Sequence, residues 1–201
     1  KFGYYHTFVT TMDHNLYTCG GDSGSSFKIE DNYGMFNLNT HFQDLVQKEG
    51  ITGIWVNNFN ASILVTKENN VYGCGNNNEY CLTDKLKLND VITVPIMLPP
   101  FKQKVIKVAC GFKATFFIVD DGTAYTVGSN TFRQCGSMEE ENEYKKYFHL
   151  LPPPNSAFRD VVAGEEYFLM LIDEPNWKGR LYSLGSNECG RAGVGRDSSN
   201  R

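Results

Sequence analysis

This sequence has no positive charge to spare. Across 201 residues, 19 Lys and Arg face 23 Asp and Glu, for a net charge of -4. Phosphate binding draws on clustered cations, so no broad nucleic-acid surface is expected. No apolar run reaches the 18 residues a membrane-spanning helix needs, and no secretory leader is recognisable. The six cysteines form no Cys-x-x-Cys pair, which argues against a zinc site. Reduced thiols in an intracellular protein, cytoplasmic rather than nuclear, are the expectation. His6, His14, His41 and His149 are scattered without ligand spacing. Phosphate-cradling glycine loops, zincin helices and paired carboxylates are absent too. No catalytic, cofactor-binding or metal residue is therefore assigned, and no cofactor is expected.

What the sequence does have is one short pattern, four times over. Tyr17-Thr18-Cys19-Gly20, Tyr72-Gly73-Cys74-Gly75, Tyr125-Thr126-Val127-Gly128 and Tyr182-Ser183-Leu184-Gly185 each put a tyrosine three residues before a glycine. Two residues beyond the glycine stands Asp22, Asn77, Asn130 or Asn187. The glycines lie 55, 53 and 57 residues apart, a period that marks a repeat architecture. A second anchor precedes each tyrosine: Gly3, Asn58 and Gly111 by fourteen residues, Gly164 by eighteen. The fourth copy thus carries a four-residue insertion, Glu174-Pro175-Asn176-Trp177, expected at a hairpin tip.

Between the anchors run Thr7 to Thr10, Ile63 to Thr66, Phe116 to Val119 and Phe168 to Ile172, all rich in β-branched and aromatic residues. Turn-prone segments follow, such as Asp120-Asp121-Gly122. Each copy reads as strand, tight turn, strand and glycine corner, with hairpins near 5–18, 60–73, 114–126 and 167–183. Repeated small antiparallel sheets stacked about an axis make a β-propeller, so the fold class is all-β. Tyr17, Tyr72, Tyr125 and Tyr182 should hold equivalent, largely buried places. Gly20, Gly75, Gly128 and Gly185 should sit where a side chain strains the turn.

The corners Gly128-Ser129-Asn130-Thr131-Phe132-Arg133-Gln134-Cys135-Gly136 and Gly185-Ser186-Asn187-Glu188-Cys189-Gly190 resemble the repeat of the regulator of chromosome condensation family. That repeat opens on Cys-Gly, matched by Cys110-Gly111, and closes on Asn-x-x-Gly-Gln-Leu-Gly, matched in part by Gln134 and Gly136. The resemblance covers nearly the whole chain. Its usual tryptophan is replaced by Cys19, Cys74, Val127 and Leu184, and the second copy ends Tyr80-Cys81-Leu82-Thr83 without its glycines. The resemblance implies a propeller of about four blades, or part of one, with short helical inserts. One repeat region over 1–201 is expected, in copies of about 1–50, 51–104, 105–157 and 158–201. Family propellers usually close with seven blades, so two readings stand: part of a larger propeller completed by neighbouring polypeptide, or a compact, incomplete one.

One catalytic lookalike is rejected. Gly21-Asp22-Ser23-Gly24 copies the nucleophile segment of trypsin-like proteases, but only 22 residues precede Ser23, too few to place a histidine and an aspartate. Candidate functional surface lies instead where the repeat is broken. Asn39 to Gly50 predicts a capped helix with Phe42, Leu45 and Val46 on one face. Ser137 to Phe148 predicts another, with a capping box at Ser137 and Glu140 and acidic Glu139 and Glu140 at its start. Tyr144, Tyr147, Glu139, Glu140 and Trp177 are the candidate interaction residues, packing onto the neighbouring blade being the alternative for the tyrosines and packing against its own hairpin that for Trp177. The function expected is a non-catalytic protein–protein interaction scaffold. The family resemblance also allows a guanine-nucleotide exchange factor, whose partner would be a small GTPase, or a regulatory propeller beside another domain. An independent hydrolase is set aside.

Overall fold

The computed structural model describes residues 6–13, 15–20, 35–57, 61–138 and 144–195. Two compact units emerge, one of residues 1–77 with 89–101 and one of 78–88 with 102–201. Both are built from antiparallel sheets.

In the first unit, β1 (His6–Thr10), β2 (Leu16–Gly20) and β3 (Asn37–Leu38) make a three-stranded sheet. Helix α1 (Thr40–Glu49) then leads into the second sheet, β4 (Ile51–Val56), β5 (Ala61–Thr66), β6 (Val71–Asn76) and β7 (Val91–Met97), hydrogen-bonded in that order. The helix forms where the sequence supplies both ends. Asn39 accepts a bond from the Phe42 amide at 3.2 Å, and Gly50, at φ 63°, returns its N–H to the Val46 carbonyl. Phe42 and Val46, one turn apart, are buried. Gln43 ties the helix back to the first hairpin through the Leu16 amide and Asn15.

The second unit repeats the plan. Its third sheet runs β8 (Val105–Cys110), β9 (Ala114–Val119), β10 (Ala124–Ser129) and β11 (Tyr144–Leu150). Its fourth holds β12 (Ala157–Ala163), β13 (Tyr167–Glu174) and β14 (Trp177–Gly185). The third and fourth sheets share one apolar core. Phe116, Ile118 and Ala124 meet Phe158, Val161, Phe168, Met170 and Ile172. Phe116 stands edge-on to Phe158 at 5.5 Å and tilted against Phe168 at 5.4 Å. Such aromatic pairs add about 1 kcal/mol beyond the area they bury.

Register is constant from copy to copy. Tyr17 pairs with Val9, Tyr72 with Leu64, Tyr125 with Phe117 and Tyr182 with Met170, so the four hairpins are equivalent residue by residue. Two sequence expectations need correction. The segment 137–148 is not a helix where it is described: Tyr144–Leu150 is β11, paired antiparallel along the free edge of β10. The insertion in the fourth copy does not widen a loop either. It lengthens the strands, to eight and nine residues in β13 and β14 against six in β9 and β10. Trp177 therefore opens a strand beside a two-residue turn.

Candidate interaction surface

The corners after each hairpin are held by backbone geometry. Gly20, Gly75, Gly128 and Gly185 have φ of 137°, 107°, 117° and 100°, a region that a side chain rarely tolerates. A Cβ on Gly128 would lie 2.3 Å from the Lys113 carbonyl oxygen, and one on Gly185 2.3 Å from that of Glu166. The asparagine two residues on closes the corner. Asn130 accepts from the Cys135 amide at 3.1 Å and donates to the Ser137 carbonyl at 3.0 Å. Asn187 does the same with the Ala192 amide at 3.1 Å and the Gly195 carbonyl at 2.9 Å. The segment resembling a protease nucleophile, 21–24, lies outside the described residues, as does His14.

The repeat tyrosines are half-buried, less than their sequence pattern leads one to expect. Their phenols reach the sheet margin, where each described partner is an acceptor. Tyr72 donates to Glu49 at 2.8 Å, Tyr125 to Gln103 at 3.3 Å, and Tyr182 to Glu174. Burial, reinforced by Glu49, pushes Tyr72 up to about 12. Glu49 itself is held below the ordinary carboxylate range, chiefly by the Asn70 amide at 2.9 Å.

The structure separates the candidate residues. Glu139 and Glu140 lie outside the described residues. Tyr144 begins β11. Tyr147 turns inward at a β-bulge, with φ 34°, and its hydroxyl donates to the Leu82 carbonyl at 2.7 Å. Desolvation and nearby Asp84 keep that phenol well above its usual range. It anchors the 78–88 segment rather than facing solvent. Trp177 alone among the candidates is described as a large exposed side chain, 65% accessible. Buried Cys81 and half-buried Cys110 are likewise pushed up, Cys110 to about 12, so neither supplies a thiolate near neutral pH.

A surface the sequence pattern did not single out lies on the fourth sheet. The residue just before the repeat tyrosine is buried as Leu16, Val71 and Ala124, but Leu181 is 63% exposed. Val162, paired with Leu169 two rows away, is 58% exposed. β9 is buried at every position, whereas β13 alternates buried with half-buried. One face of the fourth sheet is thus packed and the other open. No sequence signal marks it: Leu181 is apolar like its three equivalents, and repeat logic reads all four alike.

Models of the regulator of chromosome condensation (RCC1) repeat match residues 68–118 and 105–134. Over that stretch, the second and third sheets in part, the chain resembles the RCC1 repeat, divergently and incompletely. The chain is 29% identical over 107 residues, half of its length, to the human RCC1-like G exchanging factor-like protein. It is 27% identical over 146 residues, 68% of its length, to the Protein RCC2 homolog of Danio rerio. These alignments span only 22% and 26% of the two relatives. The crystal structure of human WBSCR16 matches 97% of the chain at a TM-score of 0.70 and 20% identity, with 49% of its own length covered. The RCC1 propeller fold is therefore shared, in part, at low sequence identity.

Proposed function

We propose that this chain is a non-catalytic interaction module whose RCC1 repeats hold other proteins within a larger assembly, in the cytoplasm. The observation that carries the reading is Trp177, a 65% exposed tryptophan on a rigid two-strand ribbon. Interface energy concentrates in a few such aromatic anchors, and a tryptophan has only two side-chain torsions to order when a partner covers it. Arg180 and Glu174, paired at 3.3 Å beside it, supply a polar rim. Capture of partners from lysate by the tagged protein, repeated with Trp177→Ala, tests this. Loss of bound protein with an unchanged circular dichroism spectrum supports the module. Capture indifferent to Trp177 contradicts it.

A second reading is favoured by the name of the human relative, a G exchanging factor-like protein. Exchange requires no covalent chemistry: a protein that binds the nucleotide-free GTPase better than the loaded one accelerates release by that difference. Release of a fluorescent guanine nucleotide from a small GTPase, sped by catalytic amounts of this chain, would establish it. Unchanged release across a panel of GTPases would remove it.

A further inference from the structure

The turn of the fourth hairpin differs in charge from the other three. The first carries Asp13, the second sets Lys67 beside Glu68, and the third carries Asp120 and Asp121. In the fourth, Trp177 is followed by Lys178 and Arg180, both exposed. A third cation reaches the same ribbon from β12. A Cβ on Gly179 would lie 3.4 Å from Arg159 Nη1, so an exposed guanidinium stands two residues along from Trp177.

The carboxylates of this region are already engaged. Asp173 accepts from the Gly179 amide at 2.7 Å and lies 3.7 Å from Arg159. Glu174 accepts from the Tyr182 hydroxyl and from Arg180 at 3.3 Å. Along β12, Asp160 is taken by Lys107 at 2.8 Å. Lys178 pairs with no carboxylate among the described residues, and the Trp177 indole N–H finds no acceptor among them. At the ribbon, three cations therefore meet two carboxylates that are both occupied, in a chain whose net charge is -4. What remains on offer is cationic donors and one aromatic face.

We infer that the partner held at Trp177 presents an acidic peptide segment, its carboxylates meeting Lys178, Arg159 and Arg180 and an apolar side chain lying on the indole. The inference rests on the reading of Trp177 as an anchor and adds the chemistry of what it holds. Arginine forks match carboxylates, and complementary charge speeds encounter and rejects wrong partners. A nucleic acid fits this surface less well. It carries a phosphate at every step, and beyond three cations the rest of an acidic chain repels it.

Fluorescence anisotropy with a labelled peptide of alternating Glu and Leu, about eight residues long, in about 50 mM salt, tests this. The same peptide with Lys in place of Glu, and an oligothymidylate of equal length, are the comparisons. The Glu peptide should bind at least about tenfold tighter than either, and weaken as salt is raised. Trp177→Ala should weaken it about tenfold and Lys178→Glu at least about threefold. Lys85→Glu, an equal change of net charge on an exposed lysine of the 78–88 segment, should leave it unchanged. All three side chains are exposed, so a folded spectrum should survive. No binding of the Glu peptide, equal binding of the Lys peptide, tighter binding of the oligothymidylate, or equal losses from the two lysine substitutions overturns the inference. Lysate capture that still depends on Trp177 would then leave the anchor standing without an acidic partner, whereas capture indifferent to Trp177 removes the anchor itself.

Discussion

The third and fourth sheets are the same structure in two surroundings. In both, the second strand of the hairpin carries tyrosine and then glycine, the corner closes on asparagine, and the pairing register agrees. Yet Phe116 and Ile118 are wholly buried, while their counterparts Leu169 and Leu171 are half-buried and Leu181 stands out in solvent. The difference lies in what covers the sheet, not in how the sheet is made. Local sequence sets strand, turn and corner; the neighbour decides whether an apolar row is core or interface.

Phe116→Ala should break the covered side hardest. Removing a ring that touches both Phe158 and Phe168 leaves a cavity, and such truncations cost about 3–5 kcal/mol. A loss of unfolding free energy below about 1 kcal/mol in urea titration would mean that the two sheets do not share a core. Gly128→Val comes next. Its Cβ would meet the Lys113 carbonyl oxygen and the Ala114 Cα, 2.8 Å away, on a strained backbone, for a loss of at least about 2 kcal/mol. Gly190→Ala sharpens this, because its φ of 73° is also positive but nothing lies within 4 Å; strain alone costs about 1 kcal/mol. Equal effects would show that crowding at the corner is irrelevant.

Much of this was legible in the residues. The period, the paired anchors and the glycine corners specify four equivalent hairpins because each rests on local chemistry, namely β-branched runs, turn residues and a φ that favours glycine. Three features were not. Ser137 to Phe148 has helix-capping residues, but the open edge of β10 pairs with Tyr144–Leu150 at five positions, and that tertiary pairing outweighs helix propensity. The exposed row at Leu181 and Val162 is invisible in sequence, since burial depends on a neighbour and Leu181 resembles Leu16. Tyr147 stands in the sequence as an interaction candidate with packing as its alternative; it packs, on a contact no local pattern shows, the Leu82 carbonyl 65 residues away.

The tyrosine position offers a gentler comparison, read through pH. Tyr72 has its folded pKa raised, so the unfolded chain loses that proton first. Its contribution is complete below pH 10 and disappears as pH rises from 10 towards 12. Glu49 has its folded pKa lowered, so its contribution is present above 4.5 and disappears as pH falls below that value. Tyr72→Phe should flatten the alkaline loss and leave part of the acid one, since Asn70 still holds Glu49. An unchanged alkaline slope in thermal melts would place that titration elsewhere. Leu181→Ala is expected to have the smallest effect, within about 0.5 kcal/mol in dilute solution, because the side chain is already in water. A loss like that of Phe116→Ala would show the fourth sheet to be covered after all.

Hydroxyl-radical footprinting of matched residues across protein concentration tests the central claim most directly. Phe116 and Ile118 should stay protected at every concentration. Leu181 and Val162 should label strongly. Protection of Leu181 equal to that of Ile118 in dilute solution, or labelling of all four alike, would contradict the account of one repeat sheet covered and its twin left open.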